Sequence, residues 1–367
     1  MRVPFVDLKA QYASIQTEID SAISEVIAET AFIGGRRIDA FEAVFAEAIG
    51  AEHCIGVGNG TDAIYIVLKM LGLGPGDEVI TVANSWISTS ETITQTGARP
   101  VFVDIDPHYN IDVSQIEAKI TKKTKAIVPV HLYGQPADMG PLMAIAEKYG
   151  LLVVEDCAQA HLASYDGKNV GTIGNAGTFS FYPGKNLGAY GDAGGIVTSD
   201  AALAEKCKRF ARHGALKKHE HTVEGINSRL DGIQAAILHA KLPHLHEWTE
   251  QRQQRARRYT DLLSGVSGVT TPDLASNRSH VFHLYVIRCD RRDELREYLS
   301  QHGVSTGIHY PTPLPLLPAY DYLGHSESDF PRASEWRSKI LSLPMYPELA
   351  DQNIEYVVGH IEQFLSS

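Results

Sequence analysis

The sequence has few cysteines, no long apolar run and no excess of positive charge. Its four cysteines are scattered without a CxxC pair, which does not indicate a disulfide framework and is typical of a reduced, cytoplasmic protein. No stretch approaches the roughly 18 apolar residues that a membrane span needs, and the amino-terminal segment lacks the apolar core of a signal peptide. With 33 Lys and Arg against 44 Asp and Glu, the formal net charge is -11, so no general basic surface attracts nucleic acid or anionic membranes.

What the 367 residues do contain is an ordinary globular composition, with 44% hydrophobic and 21% charged residues. Apolar strand-like runs alternate with amphipathic helices up to about residue 200, which predicts an α/β fold with a mostly parallel sheet covered by helices on both faces. Such sheets bind ligands at the carboxyl ends of their strands. We expect a large domain over residues 1–240 and a smaller C-terminal α/β domain over residues 241–367.

The apolar periodicity also predicts individual elements. A first amphipathic helix is expected over residues 12–29, and in the C-terminal domain a strand over 281–287 and helices over 293–301 and 352–364. The strands expected in the large domain are 54–57, 78–82, 101–103, 126–130, 151–154, 178–181 and 195–198.

The segment 58–62, Gly-Asn-Gly-Thr-Asp, joins a predicted strand to a helix. Glycines let the backbone approach a ligand and a helix start presents free N–H groups, which suits a phosphate. A tight turn with Thr61 or Asn59 as helix cap would explain the same residues. A dinucleotide fingerprint fails, because Thr61 replaces the third glycine and Glu78 precedes its strand instead of following one. A nicotinamide oxidoreductase is therefore disfavoured.

Three further segments lie where predicted strands or helices meet loops. Asp156, in the segment 155–159, can meet a cationic ligand atom or cap the next helix. Lys185, in the segment 180–188, follows a strand among small residues; if desolvated it becomes nucleophilic toward carbonyls, although an isolated Gly-Lys is usually a surface turn. The segment 225–231 leads into a helix and alone indicates only a capped helix start.

In combination, a nucleophilic lysine, a strand-end aspartate and a phosphate cup match the requirements of pyridoxal 5'-phosphate. With these residues the sequence resembles the DegT/DnrJ/EryC1/StrS family of sugar aminotransferases, within the fold-type I group of aspartate aminotransferase-like enzymes. The resemblance extends from Pro4–Leu8 to Leu343–Met345. It implies the α/β architecture of fold-type I pyridoxal phosphate-dependent transferases.

The resemblance implies a role for each matching position. Lys185 would form the Schiff base and carry the proton in transfer, and Asp156 would keep the pyridine nitrogen protonated. Trp86 would stack on the pyridine ring, and a core tryptophan between strand and helix is the less favoured alternative. Asn227 would reach the phosphate from the neighbouring subunit, which implies a homodimer with shared active sites. The remaining implied contacts are Gly60, Thr61 and Ser180 to the phosphate, Gln159 to the ring hydroxyl, and Phe32, Gly35, His213, His309 and Tyr310 to the substrate.

Some relatives carry histidine in place of the lysine and catalyse dehydration or deoxygenation, so the presence of Lys185 favours transamination. The implied amino donor is L-glutamate, and the first choice of acceptor is the C3 keto group of a dTDP-linked 6-deoxyhexose in amino-sugar biosynthesis. Amination at C4, a UDP-linked substrate and a non-catalytic regulatory function stay open as alternatives.

A D-x-D pair, Asp104 and Asp106, follows another predicted strand. Such a pair can hold a divalent metal in a nucleotide-sugar glycosyltransferase, or it can form a strand-end turn. The histidines of residues 213–221 and 239–246 lack the spacing and supporting carboxylate of a zinc site. No residue is assigned to a metal, and neither nucleic acid nor membrane is expected as a partner.

Overall fold

The structure is a computed structural model that describes residues 1–366. No helix in this part of the chain is both long and apolar enough to cross a bilayer. Its strands are β1 His53–Val57, β2 Glu78–Val82, β3 Arg99–Val103, β4 Thr124–Val128, β5 Leu152–Asp156, β6 Ser164–Tyr165, β7 Lys168–Asn169, β8 Ala176–Ser180, β9 Gly194–Thr198, β10 Val269–Thr270, β11 Tyr285–Cys289 and β12 Ile340–Leu343. Its α-helices are α1 Leu8–Ser14, α2 Gln16–Glu29, α3 Arg36–Ile49, α4 Gly60–Met70, α5 Ser88–Thr96, α6 Met139–Tyr149, α7 Ala201–Phe210, α8 Gly232–Lys241, α9 Leu245–Leu263, α10 Arg292–Gln301, α11 Pro331–Trp336 and α12 Asp351–Leu365.

A seven-stranded sheet with the order β1-β9-β8-β5-β4-β2-β3 forms the centre of the molecule. The strands β8, β5, β4, β2 and β3 are parallel to one another, whereas β9 is antiparallel to both β1 and β8. This confirms the predicted mostly parallel sheet. Because β5 and β8 are parallel neighbours, their carboxyl ends lie side by side, and the loops that follow them share one edge of the sheet.

Helices cover both faces of this sheet. Along β5 and β9, Val154 and Ile196 pack against α4 and α7, whereas Val153 and Val197 belong to the clusters on the opposite face. Alternate residues of a strand point to opposite faces, so a strand buried on both sides needs a continuous apolar run. This explains why the apolar runs of the sequence predicted the strands well.

A smaller antiparallel sheet, in the order β10-β11-β12, packs with α9, α10 and α12. Val3 lies in the same apolar cluster and pairs in parallel with Val304. The first residues of the chain therefore contact the C-terminal elements. The division into domains after residue 240 stays a prediction.

Several predicted strands are shifted by one or two residues, such as 126–130 against Thr124–Val128, and two predicted elements were wrong by more. The helix expected over residues 12–29 is two helices, because the backbone leaves the helical region at Ile15 (φ -130°, ψ 24°). The strand expected over residues 281–287 begins only at Tyr285. Before it, Phe282 has a φ of 44° and the N–H of Val281 donates to Gly134 O at 2.9 Å, so this segment bonds to a loop near β4 instead of to the small sheet.

Candidate active site

Lys185 lies in the loop that leaves the carboxyl end of β8. Its backbone N–H donates to Tyr182 O at 2.8 Å, and the residue is half-buried. Burial lowers the pKa of its amine to about 8, while the charge of Asp156 acts in the opposite direction. An amine with this pKa is partly unprotonated near neutral pH and can attack a carbonyl carbon.

Asp156 is the last residue of β5. Thr89 Oγ1 donates to its Oδ2 at 2.8 Å, and the backbone N–H of Ala158 donates to its Oδ1 at 3.1 Å. Burial raises the pKa of the carboxyl group, whereas the two hydrogen bonds and the charge of Lys185 lower it. The structure thus places Lys185 and Asp156 within electrostatic range of each other, at the ends of adjacent strands.

The predicted phosphate cup is the first turn of α4. Asn59 caps this helix, because its Oδ1 accepts the N–H of Asp62 at 2.8 Å. A Cβ atom on Gly60 would lie 2.7 Å from Cβ of Ser180, the last residue of β8, so helix and strand approach each other as closely as only glycine allows. The first N–H groups of a helix have no partner within it. Together with the hydroxyls of Thr61 and Ser180, they form a favourable environment for a phosphate.

Gln159, Tyr310 and Trp86 form a connected group. Gln159 Nε2 donates to Tyr310 Oη at 3.1 Å, and its Oε1 accepts the N–H of Tyr133 at 2.7 Å. The ring centroids of Trp86 and Tyr310 are 5.7 Å apart. Trp86 is 59% exposed, which argues against the alternative of a core tryptophan and leaves indole surface open to a flat ligand.

His309 is bonded to the small sheet on one side and lies near Lys185 on the other. Its Nδ1 is 2.8 Å from Ser342 Oγ on β12, and its backbone oxygen accepts a hydrogen bond from Tyr133 Oη. Burial and the charge of Lys185 lower the pKa of the imidazole to about 4. His309 is therefore neutral at pH 7 and can act as a hydrogen-bond donor or acceptor, but not as a fixed cation.

The remaining predicted residues, Phe32, Gly35, His213 and Asn227, lie on exposed segments. The carbonyl of Phe32 accepts a hydrogen bond from the first residue of α8 at 2.7 Å. Within residues 1–366, no hydrogen bond or ring contact joins these four residues to Lys185. Their contacts with a substrate or a second subunit stay predictions.

Comparison with known proteins decides the family. A family model described as the DegT/DnrJ/EryC1/StrS aminotransferase family matches residues 13–362. The chain belongs to this family. The pleiotropic regulatory protein of Geobacillus stearothermophilus is 51% identical to it, over 99% of each chain. The dTDP-3-amino-3,4,6-trideoxy-alpha-D-glucose transaminase of Streptomyces venezuelae is 43% identical, over 99% of this chain and 96% of its own. The crystal structure of S. venezuelae DesV superposes with a TM-score of 0.97 at 41% identity, covering 100% of this chain and 99% of that one.

Aminotransferases of this family depend on pyridoxal 5'-phosphate, which confirms the expected enzyme class and cofactor. The site of this DegT/DnrJ/EryC1/StrS member fits the cofactor. Lys185 offers a reactive amine, Asp156 a carboxylate with fixed orientation, Gly60 a close backbone approach and Trp86 an exposed flat ring. These are the features that bind and tune a phosphorylated pyridine aldehyde.

Sequence reasoning missed several residues of this family member's site. Thr89 holds Asp156, and Tyr133 contacts both Gln159 and His309. The Ser- and Thr-rich run after Trp86 could have indicated Thr89, because hydroxyls beside a predicted cofactor contact can hydrogen-bond to other residues of the site. His161 is completely buried, and both of its ring nitrogens lack hydrogen-bond partners among the described residues. Nothing in the sequence pattern indicated Tyr133 or His161.

The D-x-D pair serves as structural support. Asp104 accepts the backbone N–H groups of Arg332 and Ala333 at 2.8 and 2.9 Å and so caps α11. Asp106 accepts the N–H groups of His108 and Asn110 at 2.8 and 2.9 Å. Both carboxylates are occupied by backbone donors, which supports the strand-end turn over the metal-binding interpretation.

A buried trio of possible metal ligands, His131, Glu155 and Cys157, has its donor atoms within 4.8 Å of one another. Glu155 accepts backbone N–H groups from the segment 171–174 at 2.8 to 2.9 Å and lies 3.0 Å from His131 Nε2. His131 Nδ1 accepts the N–H of Ala137 at 3.0 Å. The carboxylate and both ring nitrogens are thus engaged with protein partners, so this trio is structural.

Proposed function

We propose that this aminotransferase moves an amino group from L-glutamate to the C3 keto group of a dTDP-linked 6-deoxyhexose. One observation supports transamination as the reaction type. The Lys185 amine, with a pKa of about 8, lies within electrostatic range of the Asp156 carboxylate. The nucleotide-sugar substrate is supported by likeness to the S. venezuelae transaminase over nearly the full length of both chains.

When bound, pyridoxal 5'-phosphate supplies a carbonyl carbon that reacts with amines and a conjugated ring that accepts electrons. Lys185 would hold the cofactor through Nζ, with the carbonyl oxygen lost as water, and as a free amine it would carry the proton during transfer. Burial suits both tasks, because it lowers the pKa of the amine to about 8 and so raises the unprotonated fraction near neutral pH. Asp156 is proposed to place its negative charge beside the ring nitrogen, with Thr89 fixing the orientation of the carboxylate.

The other proposed cofactor contacts follow from groups that the protein leaves available. Thr61 Oγ1 lies 2.7 Å from Ser88 Oγ, and Ser180 Oγ accepts the N–H of Tyr182 at 3.3 Å; each hydroxyl can use its remaining hydrogen-bonding capacity for the phosphate. Gln159 donates one of its two N–H groups to Tyr310, so the second can reach the ring hydroxyl. Trp86 presents exposed indole surface to the pyridine ring.

A homodimer with shared sites is part of this proposal. Large apolar side chains are exposed on the surface, including Phe32, Ile33, Tyr182 and Val223 at 43%, 55%, 60% and 51%. Exposed large apolar side chains can form a surface that another chain covers, and in the proposed homodimer Asn227 would reach the phosphate of its partner. The four cysteines are buried free thiols, which supports placement in the reducing cytoplasm.

Reverse transamination tests the substrate. The holoenzyme is mixed with single amino-sugar nucleotides, and the loss of its visible absorption is followed. We expect the response with dTDP-3-amino-3,6-dideoxyhexoses, because the amino group must lie at the position that is aminated in the forward direction. A response only with a 4-amino sugar or a UDP-linked sugar would move the assignment to those alternatives. A spectral response to L-glutamate alone would separate an enzyme from a purely regulatory binding protein.

Borohydride reduction tests whether Lys185 is the residue that bonds to the cofactor. Peptide mapping of the reduced holoenzyme should find a pyridoxyl group on Lys185, and a group on another residue would overturn the assignment. Lys185→Ala should still bind the cofactor but lose turnover, and Asp156→Asn should keep the covalent attachment while transaminating poorly.

A further inference from the structure

A second lysine lies beneath the loop that carries Lys185. Lys241, the last residue of α8, is completely buried. Its Nζ donates to Gly188 O at 2.7 Å and to Gln11 Oε1 at 3.1 Å, and it lies 4.2 Å from the ring centroid of Tyr190. Three segments that are distant in sequence therefore meet at this ammonium group.

The buried charge of Lys241 has no direct ionic partner in the described part of the chain. Among residues 1–366 no ion pair within 4.0 Å includes Lys241 Nζ, and the charge of Glu348 acts on it from beyond that distance. Burying an ammonium group without a partner is unfavourable. Its compensation consists of a short hydrogen bond to a backbone carbonyl, a side-chain amide and an aromatic face, and two of these three groups belong to the loop after Lys185.

Other hydrogen bonds also hold this loop, and one of them comes from α8 itself. Asn186 Nδ2 donates to Val281 O at 3.1 Å, and the N–H of Tyr190 donates to Gln234 Oε1 at 2.8 Å. A Cβ atom on Gly188 would lie 2.3 Å from Pro183 O, so the loop folds back tightly on the turn that presents Lys185. In this arrangement the Gly188 carbonyl is the point at which the loop bonds to the buried ammonium group.

We propose that Lys241 is a positioning residue for Lys185. Its ammonium group holds the Gly188 carbonyl and the Tyr190 ring against α8 and α1, and so keeps the loop of residues 182–190 in the conformation that places the Lys185 amine in its desolvated position. The inference rests on the proposed function, in which Lys185 is the reacting amine.

The test compares Lys241→Met, which keeps side-chain length and removes the charge, with Lys241→Arg, which keeps the charge. Lys168→Met is the matched control, because Lys168 is exposed on β7. In cofactor-free protein, the pH dependence of Lys185 modification by an amine-reactive reagent is measured by peptide mapping. In the holoenzyme, kcat and KM are measured separately, and thermal unfolding shows that each variant is folded.

In Lys241→Met, a loosened loop hydrates the Lys185 amine, so its apparent pKa should rise by about one unit or more toward its ordinary value. We expect kcat to fall about tenfold or more with a much smaller change in KM. Lys241→Arg should recover part of both effects, and Lys168→Met should show neither. If Lys241→Met does not fold, Gln11→Leu, which removes one partner of Nζ and leaves the lysine, must shift the Lys185 titration in the same direction.

Two failures are distinguishable. An unshifted titration of Lys185 and unchanged kcat in folded Lys241→Met would overturn the positioning role while the proposed function stands. An ordinary titration of Lys185 in the unmodified protein, without a pyridoxyl group after borohydride, would instead remove the proposed function.

Discussion

Lys185 and Asp156 affect each other's proton affinity, and this coupling can be measured without cofactor. The charge of Asp156 raises the pKa of Lys185, against the larger effect of burial. Asp156→Asn keeps the shape and removes the charge, so the apparent pKa of Lys185 should fall below about 8. Amine modification as a function of pH measures this shift. An equal or higher pKa in the Asn variant would show that the two groups do not interact as the structure indicates.

Gly60 offers a second prediction for a single residue. A Cβ atom there would meet Cβ of Ser180 at 2.7 Å and its Cα at 3.1 Å, so Gly60→Ala should push α4 away from β8. We expect the Kd for pyridoxal 5'-phosphate to rise about tenfold or more, measured by titration of the absorption spectrum. The control is Gly359→Ala on α12, where no atom lies within 4 Å of the added Cβ and the change should stabilise by about 0.5–1 kcal/mol. Equal affinities in both variants would contradict the close contact.

At the scale of a single element, α11 depends on a carboxylate from a distant strand. Asp104→Ala removes the acceptor of two N–H groups in the first turn of this helix, and we expect a loss of about 1–2 kcal/mol in the free energy of unfolding. Urea denaturation measures it. The control Asp290→Ala removes an exposed carboxylate that pairs with Lys339 at 3.1 Å, which should change stability by less than about 1 kcal/mol. Stabilisation of the unmodified protein by Mn²⁺, absent in Asp104→Ala, would revive the metal interpretation.

Elements held by local apolar patterns could be predicted from the sequence, and elements held by distant partners could not. The strand Glu78–Val82 is buried on both faces, so its apolar run was sufficient. The segment before Tyr285 is equally apolar, but a positive φ at Phe282 and a hydrogen bond to Gly134 take it out of the sheet. Neither feature has a local sequence signal.

For the whole molecule, subunit mixing tests whether Asn227 acts across a dimer. Inactive Lys185→Ala and weakened Asn227→Ala proteins are dissociated together and reassociated. If each site takes Lys185 from one chain and Asn227 from the other, every mixed dimer contains one intact site. Activity should then recover to about a quarter of that of the unmodified protein. Recovery absent from dimers shown to be mixed would place Asn227 in its own chain's site.

The active site shows the same difference between residues that could be predicted from the sequence and residues that could not. Lys185 and Asp156 could be paired from sequence because, with the phosphate cup, they match the requirements of one cofactor; the structure adds that they follow or end the adjacent strands β8 and β5. Thr89 lies 67 positions from Asp156, and Gln11 lies 230 positions from Lys241. Such partners are chosen by the three-dimensional path of the chain, and polar residues like them occur throughout any sequence.

The parallel pairing of Val3 with Val304 bears on how the protein is made. On the ribosome, the central sheet can be completed once β9 has emerged, long before residue 304 is synthesised. The opening residues cannot pair until Val304, which follows α10, has been synthesised. Docking of the amino terminus is therefore a late step in folding, and burial of Val3 indicates that the C-terminal elements of a newly made chain have folded.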